Sequence, residues 1–277
     1  SGPETAVLKT VIPELRYESA VHGAVGNFEI AATAVLAADP GATFPWLLMS
    51  EVPSARDGRK PDLEEISLAL EMLAEVHAAN VSNETLTVNL PDRSVGELLS
   101  PEHALVQLVQ QVFEESHETL SPESVDEFLQ GIESVRDVLR PLPLTLVHGD
   151  FDPGNLVFSR GRWRALDWGL AHVNVPFVDV AHMVMRFEPD DSAEMTRRYA
   201  DAARAAGLRL PDTKEMHALV QAANVAHMAF FVWWHSHCVA SLGSPPESLV
   251  STIRSRIQQI ARYGTGDDAM REDSDSP

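Results

Sequence analysis

Residues 148–155 read His148-Gly149-Asp150-Phe151-Asp152-Pro153-Gly154-Asn155, and residues 166–169 read Leu166-Asp167-Trp168-Gly169. Both stretches lie at the ends of short apolar runs that are typical of β-strands. Strand ends are rigid, so they can aim carboxylates and an amide at a common point. Such a set of oxygen ligands can hold a hard divalent cation and leave one carboxylate free to act as a base.

The composition limits what kind of protein this is. The chain has 277 residues with 41 Asp and Glu against 21 Lys and Arg, a formal net charge of −20. This acidity argues against a nucleic-acid backbone as partner and favours cationic or metal-bound partners. The single cysteine, Cys238, excludes an internal disulfide. The start of the chain carries no targeting signal, and no apolar run is long enough for a membrane span. We therefore expect a soluble, cytoplasmic protein without a membrane partner.

The first fifty residues are predicted to form a strand, a helix and a second strand. Apolar runs at residues 6–9 and 46–49 favour strands. Between them, residues 13–36 place Tyr17, Val21 and Val25 on one helical face. The polar, turn-rich segment at residues 53–61 indicates a boundary.

Helices dominate the rest of the sequence. The periodicity predicts helices over residues 63–77, with Asp62 as the cap, and over residues 102–113, 121–139 and 215–242, the last buried on nearly all sides. Three short strands are expected at residues 144–147, 155–158 and 163–166, and helices resume near Val178.

The motif His148-Gly149-Asp150-x-x-x-x-Asn155, followed by Asp167-Trp168, resembles the signature of the aminoglycoside phosphotransferase and choline kinase superfamily. These enzymes are relatives of protein kinases, whose catalytic loop and metal site have the corresponding pattern. The resemblance is collinear over residues 9–183. It includes a strand with a phosphate-binding lysine at residues 7–9, a hinge at 47–52, a helix at 73–77 and a Pro176-x-x-Asp179 segment that would support the catalytic loop.

The resemblance implies an α+β, protein-kinase-like bilobal fold. Residues 1–52 would form the N-terminal lobe and hinge, residues 53–263 the larger helical lobe with the catalytic loop, and residues 264–277 an acidic disordered tail. Only eight residues precede Lys9, where the family places two strands and a nucleotide-positioning loop. Either the numbering begins after a missing segment, which we favour because every later element is present, or the nucleotide site is open on one side.

The resemblance also implies a role for each site residue. Asp150 would take the proton of the acceptor hydroxyl, while Asn155 and Asp167 would hold magnesium. Lys9 would bind the α- and β-phosphates of ATP, with GTP as the alternative donor. A helix glutamate would hold Lys9. We choose Glu18 for this role, with Glu14 and Glu29 as competitors.

In the hinge, the carbonyl of Ser50 and the N–H of Val52 would bind the adenine edge. Asp152 stands where the family often has histidine, and either it is a solvated loop residue or its charge attracts a cationic acceptor.

The implied activity is transfer of the γ-phosphoryl group to a hydroxyl of a small molecule, with Mg²⁺ as the metal. An aminoglycoside-like antibiotic is the leading acceptor, which would make this a resistance or self-protection enzyme; the net charge favours a cationic compound. The alternatives are a kinase for an amino alcohol, a sugar or homoserine, and a nucleotide-binding pseudokinase. The protein is expected to be a monomer or a homodimer.

Overall fold

The computed structural model describes residues 5–12, 15–31, 33–52, 60–81, 83, 90–100, 105–117, 119–159, 161–211, 215–242 and 246–264. The chain forms two compact units. The first comprises Ser1–Asp92 and Leu142–His217, and the second comprises Arg93–Pro141 and Ala218–Pro277.

The first unit opens with a three-stranded antiparallel sheet of order β1-β3-β2. Its strands are β1 (Ala6–Thr10), β2 (Val35–Asp39) and β3 (Trp46–Ser50). Helix α1 (Glu18–Val25) lies between β1 and β2 in the sequence. Lys9 is paired directly with the buried Leu47, so both side chains lie on the same, covered face of the sheet.

The described residues of this unit include three further helices: α2 (Leu63–Ala79), α6 (Phe177–Val184) and α7 (Pro189–Ala205). At the start of α2, Asp62 and Glu65 form a reciprocal capping box that satisfies two of the free N–H groups of the first turn. Helix α2 packs along α7 and buries Leu70 and Leu73 completely.

Two small antiparallel strand pairs also belong to the described part of the first unit. Strand β4 (Thr145–Val147) pairs with β7 (His172–Asn174), and β5 (Leu156–Ser159) pairs with β6 (Arg162–Ala165), both antiparallel. Two single-turn 3₁₀ helices, Pro153–Asn155 and Trp168–Leu170, stand between these strands in the sequence. The motifs at residues 148–155 and 166–169 therefore lie on short turns between strands.

The second unit is helical in its described part. Its helices are α3 (Val95–Leu98), α4 (Leu105–Glu115), α5 (Pro122–Leu139), most of α8 (Met216–Leu242) and α9 (Glu247–Gly264). Ser121 caps α5 by accepting the N–H of Ser124, and Pro122 follows at the first helical position. Helices α5 and α9 pack closely along each other.

The sequence predicted the fold class and most elements correctly. The mixture of helices with small sheets is confirmed, as are the strands near residues 6–9 and 46–49 and the helix capped by Asp62. The helix expected within residues 13–36 is much shorter, because Leu36 lies in β2, a largely exposed strand. Strand β7 was not predicted at all.

Some sequence predictions are not resolved. The proposed lobe boundaries stay a prediction, and residues 53–59 and 265–277 lie outside the described part of the chain. Within the described residues, no helix combines the length and the apolar character that a membrane crossing requires.

Candidate active site

The loop after β4 is held in place by a buried carboxylate on helix α6. Asp179 accepts the backbone N–H of His148 at 2.6 Å and that of Gly149 at 2.9 Å. His77 of α2 approaches the same carboxylate at 3.2 Å. Burial alone would raise the pKa of Asp179, but these donors and the nearby imidazoles outweigh burial and lower it. The supporting carboxylate is therefore charged, and it fixes the loop through its backbone.

Gly149 and His148 shape the loop. Gly149 has a φ of +81°, and a Cβ at this position would come within 2.2 Å of the carbonyl oxygen of Leu170, so only glycine fits. The buried His148 places Nε2 at 2.8 Å from the carbonyl of Leu166 and accepts the N–H of Asp150 at Nδ1, at 3.3 Å. Burial lowers the pKa of His148, which keeps the ring neutral. The imidazole thus ties the turn of Asp150 to the strand end that precedes Asp167.

Asp150 is held by two side chains. Its Oδ2 accepts the amide Nδ2 of Asn155 at 3.0 Å, and its Oδ1 lies 3.2 Å from Nε2 of His182 on α6. The Asp150 side chain is 34% exposed, so a substrate can reach it. Burial would raise the pKa of Asp150, but its hydrogen bonds with His182 and Asn155 lower it. The carboxylate is therefore ionised at neutral pH, the state that a base requires.

Asn155 is positioned by the 3₁₀ turn that Asp152 caps. One oxygen of Asp152 accepts the N–H of Gly154 at 2.6 Å and that of Asn155 at 3.1 Å. Because the Asn155 amide nitrogen donates to both the carbonyl and the carboxylate of Asp150, its Oδ1 is turned away from them.

Lys9 forms ion pairs with two carboxylates that are far apart in sequence. Its Nζ lies 2.9 Å from Glu18 Oε1 on α1 and 2.7 Å from Asp167 Oδ1. Burial would lower the pKa of Lys9, but Asp167 and Glu18 outweigh burial and raise it. The pKa of Asp167 is lowered, because the pull of Lys9 exceeds the effect of burial. Strand β1, helix α1 and the turn after β6 therefore meet at one charged cluster.

Backbone contacts explain how these elements meet. Ala165 of β6 donates its N–H to the carbonyl of Ile30 at 2.8 Å, and Arg164 donates to the carbonyl of Ala31 at 2.6 Å. Helix α1 also packs against the 3₁₀ turn Trp168–Leu170. The chain segment after α1 is thus fixed beside β6, and Asp167 emerges next to Glu18.

The residues expected to hold magnesium fit a hard cation by their chemistry. Asp167 offers a carboxylate whose side chain is 59% exposed, and Asn155 offers an amide oxygen turned away from Asp150. Oxygen donors of this kind are those that Mg²⁺ prefers.

The structure distinguishes between two of the three glutamates considered as partners of Lys9. Glu18 contacts Lys9, whereas Glu29 pairs with Arg162 of β6. Glu14 lies outside the described residues.

The predicted hinge residues lie in the second half of β3 and directly after it. Ser50 donates its N–H to Ala34 and accepts the N–H of Ala34 at its hydroxyl, while Glu51 donates its N–H to Thr5. Val52 is half-buried directly after the strand. An adenine-binding role for Ser50 and Val52 stays a prediction.

The sequence did not predict that two further side chains lie near Asp150. His182 and Arg186 follow Asp179 by three and seven residues, and Arg186 bridges Nε2 of His182 and Oδ2 of Asp152, each at 3.1 Å. The spacing of residues that share a helical face was the available signal. Asp152 pairs with this guanidinium, and its expected role as a solvated residue or as a group that attracts a cationic acceptor stays a prediction.

Comparison with known proteins adds a family. Residues 6–219 match the profile of the phosphotransferase enzyme family. No curated protein sequence matches the chain.

Solved structures of the same fold are distant in sequence. A choline/ethanolamine kinase family protein from Mesorhizobium loti shares 15% identity, with a TM-score of 0.58 over 95% of this chain and 83% of that one. A thermostable mutant of aminoglycoside phosphotransferase APH(4)-Ia, in a ternary complex with ADP and hygromycin B, shares 13% identity, with a TM-score of 0.60 over 96% and 88%. The amicoumacin kinase hAmiN, in complex with AMP-PNP, Ca²⁺ and Ami, shares 13% identity, with a TM-score of 0.54 over 93% and 82%. These likenesses establish the kinase-like fold.

Proposed function

Because the chain belongs to the phosphotransferase enzyme family, we propose that it transfers the γ-phosphoryl group of ATP to a hydroxyl of a small molecule. One observation carries this proposal: Lys9 pairs with both Glu18 and Asp167, although Asp167 follows Lys9 by 158 residues. A lysine held by a helix glutamate next to a metal-binding aspartate is the arrangement that kinase-type phosphoryl transfer uses.

The proposed reaction assigns each group a separate task. Asp150 accepts the proton of the acceptor hydroxyl, the hydroxyl oxygen forms a bond to the γ-phosphorus, and the bond to the bridging oxygen breaks to release ADP. Lys9 binds the α- and β-phosphates. Asn155 and Asp167 hold Mg²⁺, which when bound neutralises charge on the phosphate oxygens. Positioning donor and acceptor in line can supply about 7–11 kcal/mol of the barrier.

For the acceptor, we propose a cationic antibiotic of the aminoglycoside type. The net charge of −20 supports a cationic compound, since a protein field of this sign raises the local concentration of cations. The structural relatives include a phosphotransferase bound to hygromycin B and an amicoumacin kinase.

A screen of acceptors tests the proposal. The full chain is incubated with ATP or GTP and Mg²⁺ and with three sets of hydroxyl compounds: aminoglycosides and related antibiotics, amino alcohols, and sugars with homoserine. We expect ADP release that depends on an aminoglycoside-type compound, with a new phosphate ester detected by ³¹P NMR. Transfer only to an amino alcohol, a sugar or homoserine would identify a metabolite kinase instead. Nucleotide binding without acceptor-dependent ADP release would contradict the enzymatic proposal.

Two variants connect the activity to the site. Asp150→Ala should lower the turnover number by about 10²–10⁴-fold, the usual contribution of a general base, while the dissociation constant of ATP changes little. Asp137→Asn, at an exposed position of α5, is the matched control and should retain full activity. Near wild-type turnover in Asp150→Ala would show that Asp150 is not the base.

A further inference from the structure

Asp150 is oriented from two sides by groups on different elements. Asn155 belongs to the same loop and donates to Oδ2, whereas His182 is on helix α6 and contacts Oδ1. The His182 side chain is only 11% exposed, so its ring has little freedom to move away. The same helix carries Asp179, which holds the loop through the backbone of His148 and Gly149. Helix α6 therefore determines both where the loop lies and how the Asp150 carboxylate is turned.

The nitrogen of His182 that faces Asp150 has a second neighbour. Nε2 lies 3.2 Å from Asp150 Oδ1 and 3.1 Å from Nη2 of Arg186. A nitrogen that carries a hydrogen can donate to the carboxylate, whereas a nitrogen with a lone pair can accept from the guanidinium. It cannot do both at once. Whether His182 holds Asp150 therefore depends on what restrains Arg186.

Asp152 provides that restraint. Its Oδ2 pairs with Nη1 of Arg186 at 3.1 Å, while its Oδ1 caps the turn that presents Asn155. The two oxygens of one carboxylate thus have separate tasks. Nη2 of Arg186 still lies 3.1 Å from Nε2 of His182, but the ion pair gives the guanidinium an anionic acceptor of its own, so Nε2 can carry hydrogen and donate to Asp150.

A metal ion is an alternative ligand for the side chains around Asp150. Asp150, Asp152 and His182 each offer a ligand atom, and these atoms lie within 4.8 Å of one another. However, the guanidinium of Arg186 already contacts two of these three residues, Asp152 and His182. A fixed positive charge at this place opposes binding of a second cation.

We propose that His182 is a positioning residue that donates Nε2–H to Oδ1 of Asp150, and that Asp152, as the acceptor for Arg186, removes the need for Nε2 to accept from the guanidinium. The effect of this contact on catalysis rests on the proposed function, whereas the contact itself is independent of it. Orientation matters because a displacement of about 1 Å at a catalytic group can cost about 10²-fold in rate.

A spectroscopic test addresses the contact without any acceptor. Long-range ¹H–¹⁵N NMR of the uniformly ¹⁵N-labelled full chain reports which imidazole nitrogen carries hydrogen, and His182→Gln identifies the His182 signals by their loss. We expect Nε2 of His182 to carry hydrogen in the wild type and its signal to move in Asp150→Ala. An Nε2 without hydrogen in the wild type would overturn the proposal, whatever the enzyme's activity.

A kinetic test compares two side chains of similar length at position 182. Gln keeps an N–H at the ε position, whereas Met does not. The rate is that of ADP release with the acceptor identified by the screen. We expect His182→Met to lower the turnover number about tenfold or more with the KM for ATP unchanged, and His182→Gln to retain the turnover number within about threefold. Equal effects of Gln and Met would show that the ring serves only packing.

Asp152→Asn separates the two tasks of Asp152, because the amide oxygen can still cap the turn while the amide nitrogen no longer accepts from Arg186. We expect this variant to lose the Nε2–H signal of His182. Its turnover number should fall several-fold. Adding Arg186→Met should restore both, since the competing donor is then absent. A double variant no better than Asp152→Asn alone would contradict the role given to Asp152.

If no compound is phosphorylated while the NMR signals behave as expected, the proposed function fails and the contact between His182 and Asp150 stands. If transfer occurs but the Gln and Met variants do not differ, the proposed function stands and the positioning role fails.

Discussion

At the scale of single residues, Glu18 depends on Lys9. The Glu18 side chain is 1% exposed and its Oε1 pairs with Lys9, while its Oε2 is buried with no hydrogen-bond partner among the described residues. His22, one turn later on α1, lies 3.7 Å from Oε1, too far for a hydrogen bond. A buried carboxylate is costly unless it is paired. Lys9 therefore stabilises the fold as well as serving the site.

This dependence leads to a prediction about stability that needs no substrate. Lys9→Met should lower the free energy of unfolding by about 1–3 kcal/mol, because it leaves a buried carboxylate without its partner. Changing Glu18→Met in the same background should recover most of that loss. Urea unfolding followed by circular dichroism measures both. If the double variant is no more stable than Lys9→Met, Lys9 does not compensate the buried charge.

At the scale of elements, the support of the loop after β4 by helix α6 predicts acid sensitivity. The pKa of Asp179 is lowered from its ordinary value of 3.8 in the folded protein, so its stabilising contribution is present above about pH 4 and is lost as pH falls through the folded pKa. Asp179→Asn should lower the free energy of unfolding by about 3 kcal/mol at neutral pH. The difference in this free energy between wild type and variant, the stability gap, should become smaller below pH 4.

Urea unfolding at several pH values measures this gap. Glu133→Gln is the control, since its pair with Arg136 is exposed and should be worth less than about 1 kcal/mol at any pH. A gap that stays constant down to pH 3 would mean that Asp179 contributes by packing rather than by charge.

A second prediction at this scale concerns the close approach of α5 and α9. A Cβ at Gly131 would lie 2.2 Å from the carbonyl oxygen of Ile260, and one at Gly264 would lie 2.8 Å from Gly131 itself. Gly131→Ala should therefore destabilise the protein by about 1–3 kcal/mol through overpacking. Gly23→Ala on α1 is the matched control, because nothing lies within 4 Å of its Cβ and alanine favours the helix. Equal thermal midpoints for the two variants would contradict the close contact.

The elements also show what the sequence could predict. The capped helix α2 and the apolar helix α8 combine periodicity or burial with enough length to be recognised. Strand β7 has only three residues and depends on pairing with β4, a contact made across the sequence rather than by local preference. The family resemblance implies Lys9 and Asp167 and leaves Glu18 as the choice among three glutamates; the structure brings Lys9, Glu18 and Asp167 together. His182 was missed because its role is set by the distance to Asp150 in space, which only the folded chain reveals.

At the scale of the whole molecule, the surplus of carboxylates is expected to act as a long-range field. Few of them belong to the site, and several are paired locally, such as Glu64 and Glu71, which share Arg198. The net charge of −20 nevertheless remains and should attract cationic compounds from a distance. This attraction is screened over about 10 Å at 0.1 M salt and about 3 Å at 1 M.

The field predicts how acceptor use depends on salt. With Mg²⁺ and ATP saturating, kcat/KM for a cationic aminoglycoside-type acceptor should fall several-fold between about 0.05 and 0.5 M NaCl, because screening removes the attraction. A neutral hydroxyl acceptor in the same assay is the control, and its kcat/KM should stay nearly constant. Since nucleotide binding is saturated in both cases, the difference isolates the charge of the acceptor. Equal salt dependence for both compounds would show that the carboxylates keep the protein hydrated without selecting its substrate.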